Sequence, residues 1–187
     1  MQEVDNVLRI LKETKESINN KDAVALKTLS NQTIHTAAVS QDPDNIAVAV
    51  IVYSIGKIIE RSNNGEEKKY AGLYNRLSVM IDKTIFELKS GNQDKVRKNL
   101  NYIRKDIERG SGDFKRHIQD VFRKASINKA SKIYEHGISM ETTASLLGIT
   151  MFELASYAGQ KQVISEEKEE KTISAKERIK IAMEMFE

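Results

Sequence analysis

The chain contains no cysteine and no tryptophan, a single proline and few aromatic residues, 6% in all. The lack of cysteine excludes disulfides, thiolate zinc sites and cysteine nucleophiles together, and it suits a reducing cytosol, so a cytoplasmic protein is expected. Long hydrophobic runs are missing as well. The longest, Ile46 to Tyr53, falls far short of the roughly 20 residues a helix needs to cross a bilayer, so no membrane association is expected. The opening Met1-Gln2-Glu3-Val4-Asp5 is acidic and amphipathic rather than basic and then apolar, so no export signal is expected either. Histidine is scarce. His35, His117 and His136 each lack a second histidine or carboxylate at a recognisable metal spacing. No phosphate-cradling glycine loop and no nucleophile elbow occurs. The expectation is a protein without metal, cofactor or catalytic centre.

What is present points to helices. Lys, Glu, Ile and Leu are abundant, and with one proline in 187 residues the composition favours an all-α fold. Val4, Leu8, Leu11 and Ile18 form an apolar stripe at helical spacing over residues 3 to 19. Residues 22 to 41 follow as an alanine-rich helix with Leu26, Leu29, Ala37 and Ala38 as contacts. Asp42-Pro43 is a start signal, because Asp can accept from first-turn amides and Pro fits the first helical position. The helix it opens, 43 to 62, is apolar on all faces and is expected at the centre. Tyr70, Leu73, Leu77, Met80, Ile81, Ile85 and Leu88 mark a further helix after Ser62-Asn-Asn-Gly65. Val96, Leu100, Ile103 and Ile107 mark the next, Gly110-Ser111-Gly112 reads as a break, and Phe114 to Ala125 begins another. These six helices, with short loops that favour antiparallel neighbours, make a bundle over residues 1 to 126.

Charge is unevenly spread. Residues 95 to 132 hold twelve Lys or Arg against four acids, in a chain whose net charge is +3. Such a segment attracts phosphates and gives salt-sensitive, sequence-independent binding to nucleic acid. Lys95, Arg97, Lys98, Arg104, Lys105, Arg109, Lys115, Arg116, Arg123 and Lys124 are the candidate phosphate contacts. The alternative is that they are the solvated faces of two amphipathic helices.

Residues 127 to 160 resolve into three short helices and two tight turns. Gly137 can end a helix in the left-handed conformation and Ser139 can cap the next. Ala144 supplies a small residue where two helices cross, and Gly148 makes the turn between them. Thr150 and Glu153 form a capping box, with Ile149 and Leu154 spaced as its hydrophobic staple. This stretch resembles the helix-turn-helix superfamily and, more loosely, the short motif of small prokaryotic antitoxins and regulators. Thr143 departs from the pattern, which usually has an aliphatic residue there. The resemblance implies that Thr142 to Leu147 is the supporting helix. It implies that Met151 to Ala158 is the recognition helix, with Thr150, Met151, Ser156, Gln160 and Lys161 at the groove. It makes DNA the expected nucleic acid ahead of RNA.

Residues 161 to 172 are mostly charged and read as a solvated linker. Ser174 and Glu177 make a second capping box. Ile179, Ala182, Met183 and Phe186 line one face of a final helix, residues 173 to 187, expected to dock on the bundle, on a second copy or on a partner protein. In Ser30-Asn31-Gln32-Thr33-Ile34-His35, Asn31 and His35 share a helix face. That element resembles the Arg-Asn-x-x-x-His signature of HEPN-type helical ribonucleases, with Ser30 in place of the arginine. The resemblance implies metal-independent RNA cleavage, the enzymatic alternative; a buried or half-buried His35 bonded to a neighbouring helix is the structural one. The sequence thus reads as a non-catalytic nucleic-acid-associated regulator, with a helical protein-protein adaptor, RNA- or ribosome-associated, as the other reading.

Overall fold

The computed structural model describes residues 1, 3–40, 42–125 and 140–157, with backbone alone at 66–69 and 122–125. All regular structure among them is helical. The elements are α1 (Val4–Asn19), α2 (Ala23–Ser40), α3 (Pro43–Arg61), α4 (Glu67–Lys89), α5 (Gln93–Ser111), α6 (Phe114–Ala125), α7 (Met140–Leu147) and α8 (151–157). The all-α class read from composition is the observed one. No helix among the described residues is long and apolar enough to cross a membrane.

The start signal at Asp42 works as its chemistry requires. Its carboxylate accepts from the Asp44 and Asn45 amides at 2.7 and 3.4 Å, with Pro43 at the first helical position. The helix that follows is buried on every side from Asp44 to Ile55, and again at Ile58 and Ile59. A helix of this kind is stable only when neighbours cover all its faces. Here α2 runs along one side, and α5, α6 and α7 cover the others. The pairs α1 with α4 and α4 with α5 complete the bundle. Within α4, Tyr70, Leu73, Leu77, Ile81 and Leu88 are buried.

Two details differ from the sequence pattern. The buried face of α1 is Val7, Ile10, Leu11, Thr14, Ser17 and Ile18, whereas Val4 stays exposed and Leu8 is only half-buried. Contact with α2, α3 and α4 broadens that face and brings in two polar residues that hydropathy alone leaves out. The second detail lies within the expected break at Gly110-Ser111-Gly112, where α5 does end: Gly110 is still helical, and the left-handed residue is Gly112. A Cβ on Gly110 would come within 2.8 Å of Leu73 Cδ2, so glycine lets α5 lie close to α4. The expected turn after α3 is found, with Gly65 at φ 111°.

The helix-turn-helix-like stretch has no core of its own among the described residues. Met140, Ala144, Leu147 and Leu154 belong to the same apolar cluster as the core of α1 to α6. Residues 126 to 139, which include Gly137 and Ser139, and residues 158 to 187, with the expected linker and final helix, lie outside the described residues. Replacing Asp42 by Ala is expected to lower stability by about 1 kcal/mol through loss of the α3 cap, whereas Asp42→Asn keeps most of it. Midpoints of urea unfolding check this.

Candidate nucleic-acid interface

The geometry of α5 is set by two rows. Val96, Leu100, Ile103 and Ile107 are buried, a residue every three or four, so the opposite face is turned outward. On that face Lys95, Lys98, Tyr102, Lys105 and Arg109 follow one another in steps of three and four, and all five are exposed. At 1.5 Å per residue the row is about 21 Å long. Lys95 reaches Glu87 Oε1 at 3.5 Å. Among the described residues, Lys98, Lys105 and Arg109 have no ion-pair partner.

The other predicted phosphate contacts are placed differently. Arg97 grips Asp44 at the start of α3 with two bonds, Nε to Oδ1 at 2.9 Å and Nη2 to Oδ2 at 3.0 Å. Arg104 is 9% exposed and lies apart from the outward row. Its guanidinium donates to Asn101 Oδ1 at 2.9 and 3.2 Å and to Glu108 Oε2 at 3.0 Å. Lys115 is tied to Glu153 of α8 at 2.7 Å. Arg116 is exposed and has no ion-pair partner among the described residues. The side chains of Arg123 and Lys124 lie outside the description. Sequence alone thus grouped cations that the fold separates into a paired set and an outward row. It also left out Tyr102, which is 59% exposed in the middle of that row. The alternating three-and-four spacing was the signal for it.

The corner between α7 and α8 is built by local bonds. Gly148 takes φ 68°, its amide donates to Ser145 O at 3.2 Å, and the Ile149 amide donates to Ala144 O at 3.0 Å. This is the Schellman closure. The capping box then starts α8: the Thr150 amide donates to Glu153 Oε2 at 2.9 Å, and the Glu153 amide to Thr150 Oγ1 at 3.1 Å. Lys115 first, then the amide and hydroxyl of Thr150, hold the Glu153 carboxyl down to about 2. Thr143 is fully buried, as an aliphatic residue at that position would be. The predicted groove-facing residues Thr150 and Ser156 are exposed, but their hydroxyls are engaged in local bonds. Thr150 Oγ1 bonds Glu153 Oε2 at 3.0 Å, and Ser156 Oγ donates to Glu153 O at 2.8 Å. Outward are Met151 at 56% and Phe152 at 84% exposure. Gln160 and Lys161 lie outside the described residues.

Elsewhere, His35 and Asn31 are both exposed on α2 while Ser30 is buried, so His35 is not the buried or half-buried histidine that the structural alternative required. His117 is the buried histidine. Its Nδ1 lies 3.0 Å from Ser54 Oγ, and its ring meets Tyr53 edge-on at 5.7 Å. Burial pushes its pKa below the usual imidazole value, against the pull of Asp113. Among the described residues no three His, Asp or Glu side chains gather in a way that could hold a metal ion. No protein-family model matches the chain, and neither curated proteins nor solved structures give a match.

Two outcomes follow from this geometry. A Cβ at Gly148 would strike the Arg104 guanidinium, with Nη2 at 2.9 Å, in a backbone conformation that already disfavours side chains. Gly148→Ala should therefore cost roughly 1–3 kcal/mol, and less in an Arg104→Ala background, where the collision is gone but the left-handed strain remains. A double-mutant cycle in chemical denaturation measures the difference. For His117 the unfolded chain takes up its proton first as pH falls. The stability it contributes is full above about pH 6.5 and is lost on acidification. Below pH 6.5 the native protein should lose stability more steeply than His117→Gln, by up to about 1.4 kcal/mol per pH unit, in unfolding curves taken at successive pH values.

Proposed function

We propose that the chain is a non-catalytic nucleic-acid-associated regulator that holds the phosphate backbone on the outward face of α5. The observation that carries this is the row Lys95, Lys98, Lys105 and Arg109, with three of its cations unpaired among the described residues while Arg97, Arg104 and Lys115 are engaged within the fold. Lys95 with Lys98, and Lys105 with Arg109, are like charges within one helical turn. Each such pair destabilises an isolated helix by a few tenths of a kcal/mol, about 0.2–0.5. A polyanion laid along the row removes that repulsion and releases its own counterions. Contacts of this type position a nucleic acid without reading its sequence.

Base reading by α8 is the form that the helix-turn-helix resemblance implies. The engaged hydroxyls of Thr150 and Ser156 give it no support, so the reading rests on backbone binding by α5. A second reading, a helical protein-protein adaptor, is favoured by the exposed Met151 and Phe152 at the tip of α8. Such amphipathic tips engage apolar grooves.

Binding of the full chain to a mixed pool of DNA and RNA fragments across a salt series tests the first reading. Wild-type affinity should fall steeply with salt. Replacing Lys98 and Lys105 together by Ala should flatten the slope by about 1.4 to 1.8, the value for two lost phosphate contacts. No binding by the wild type, or an unchanged slope in the variant, overturns it.

A further inference from the structure

We infer that the polymer on α5 is single-stranded, with a base stacked on the ring of Tyr102; this rests on the phosphate-binding reading above. Tyr102 does not belong to the buried row of α5 and is 59% exposed. A phenol ring on the solvent side of an amphipathic helix adds nothing to the core. Its neighbours on the same face are Lys98, four residues before, and Lys105, three after. They flank the ring at about 6 and 4.5 Å along the helix axis.

That arrangement matches the chemistry of one polymer better than another. In a duplex each base face is covered by the next pair, so a convex helix studded with cations meets phosphates and sugars, and the ring finds no partner. An unpaired strand offers both partners at once, phosphates for the lysines and an open π-face for the tyrosine. Stacking of this kind is tolerant of base identity, in keeping with contacts that position a strand without reading its sequence. An apolar protein groove fits less well, because it would have to desolvate the lysines on either side of the ring.

The chain lacks tryptophan, so Tyr102→Trp introduces a single fluorescent reporter at the proposed stacking position. On titration with a short mixed-sequence single strand, its fluorescence should be quenched, and the same sequence as a duplex should leave it nearly unchanged. In anisotropy measurements with the full chain, Tyr102→Ala should weaken single-strand binding roughly tenfold with no change in salt slope, and Tyr102→Phe should bind as the wild type does. If the duplex binds as tightly as the single strand, or Tyr102→Ala binds like the wild type, the single-strand inference is overturned. Backbone binding then still stands, provided that the double replacement of Lys98 and Lys105 flattens the slope. If the wild type binds neither polymer, both fall together.

Discussion

The bundle is organised around α3, which has no solvent face from Asp44 to Ile55 and so must be covered there from every direction. Almost the whole of Asp44 to Ile59 is buried, and the polar groups that go in with it need partners. Ser54 donates back to Val50 O at 2.8 Å and meets His117 of α6. Asp44, 1% exposed, is a buried charge met by two bonds from Arg97 and by the Met1 ammonium at 3.1 Å. An ion pair in that setting does little for net stability, since desolvation cancels much of the attraction. What it does is fix how α5 is rotated. With Arg97 turned to the start of α3 and Val96, Leu100, Ile103 and Ile107 facing the core, the row from Lys95 to Arg109 has nowhere to point but outward.

How much of this was legible follows from the range of the interactions involved. The cap at Asp42, the capping box of Thr150 and Glu153 and the closure at Gly148 are bonds between residues two to five apart, and the sequence displays both partners side by side. The apolar rows of α4 and α5 are periodic and were equally plain. What could not be read is which cation meets which acid. Arg97 and Asp44 are 53 residues apart, and Lys115 and Glu153 are 38 apart, so composition could only count them together. The packing role of Gly110 was hidden for a related reason. It falls where the break was expected, but what it allows is the approach of Leu73 from another helix.

The corner at α7 and α8 separates geometry from role. A left-handed glycine followed by a capping box makes a tight turn between two helices wherever it occurs, and DNA-binding motifs are one use of it. The difference lies in what the corner covers and what it leaves outside. Here it sits on Arg104 and on the core of α3 and α5, with Met140, Ala144, Leu147 and Leu154 beneath. Its outer tip carries a methionine, a phenylalanine and an ionised Glu153 that Lys115 already neutralises. A neutralised pair offers nothing to phosphate, and apolar tips are better matched to protein than to base edges other than the thymine methyl.

The distribution of charge on the folded chain is more polar than the net value suggests. Asp44, Asp106, Glu108, Asp113 and Glu153 are all held in ion pairs at 3.2 Å or less, with Arg97, Arg76, Arg104, Arg61 and Lys115. Each pair is close to neutral from outside. On α5 the cations left over are Lys98, Lys105 and Arg109, which share the outward face of that helix. Residues one turn apart on a helix lie about 5–6 Å from each other, within the screening length of about 8 Å at physiological salt, so they reinforce one another. A chain with a net charge of only +3 can in this way present a strongly cationic line, and the pairing pattern of the fold, rather than the composition, sets where that line runs.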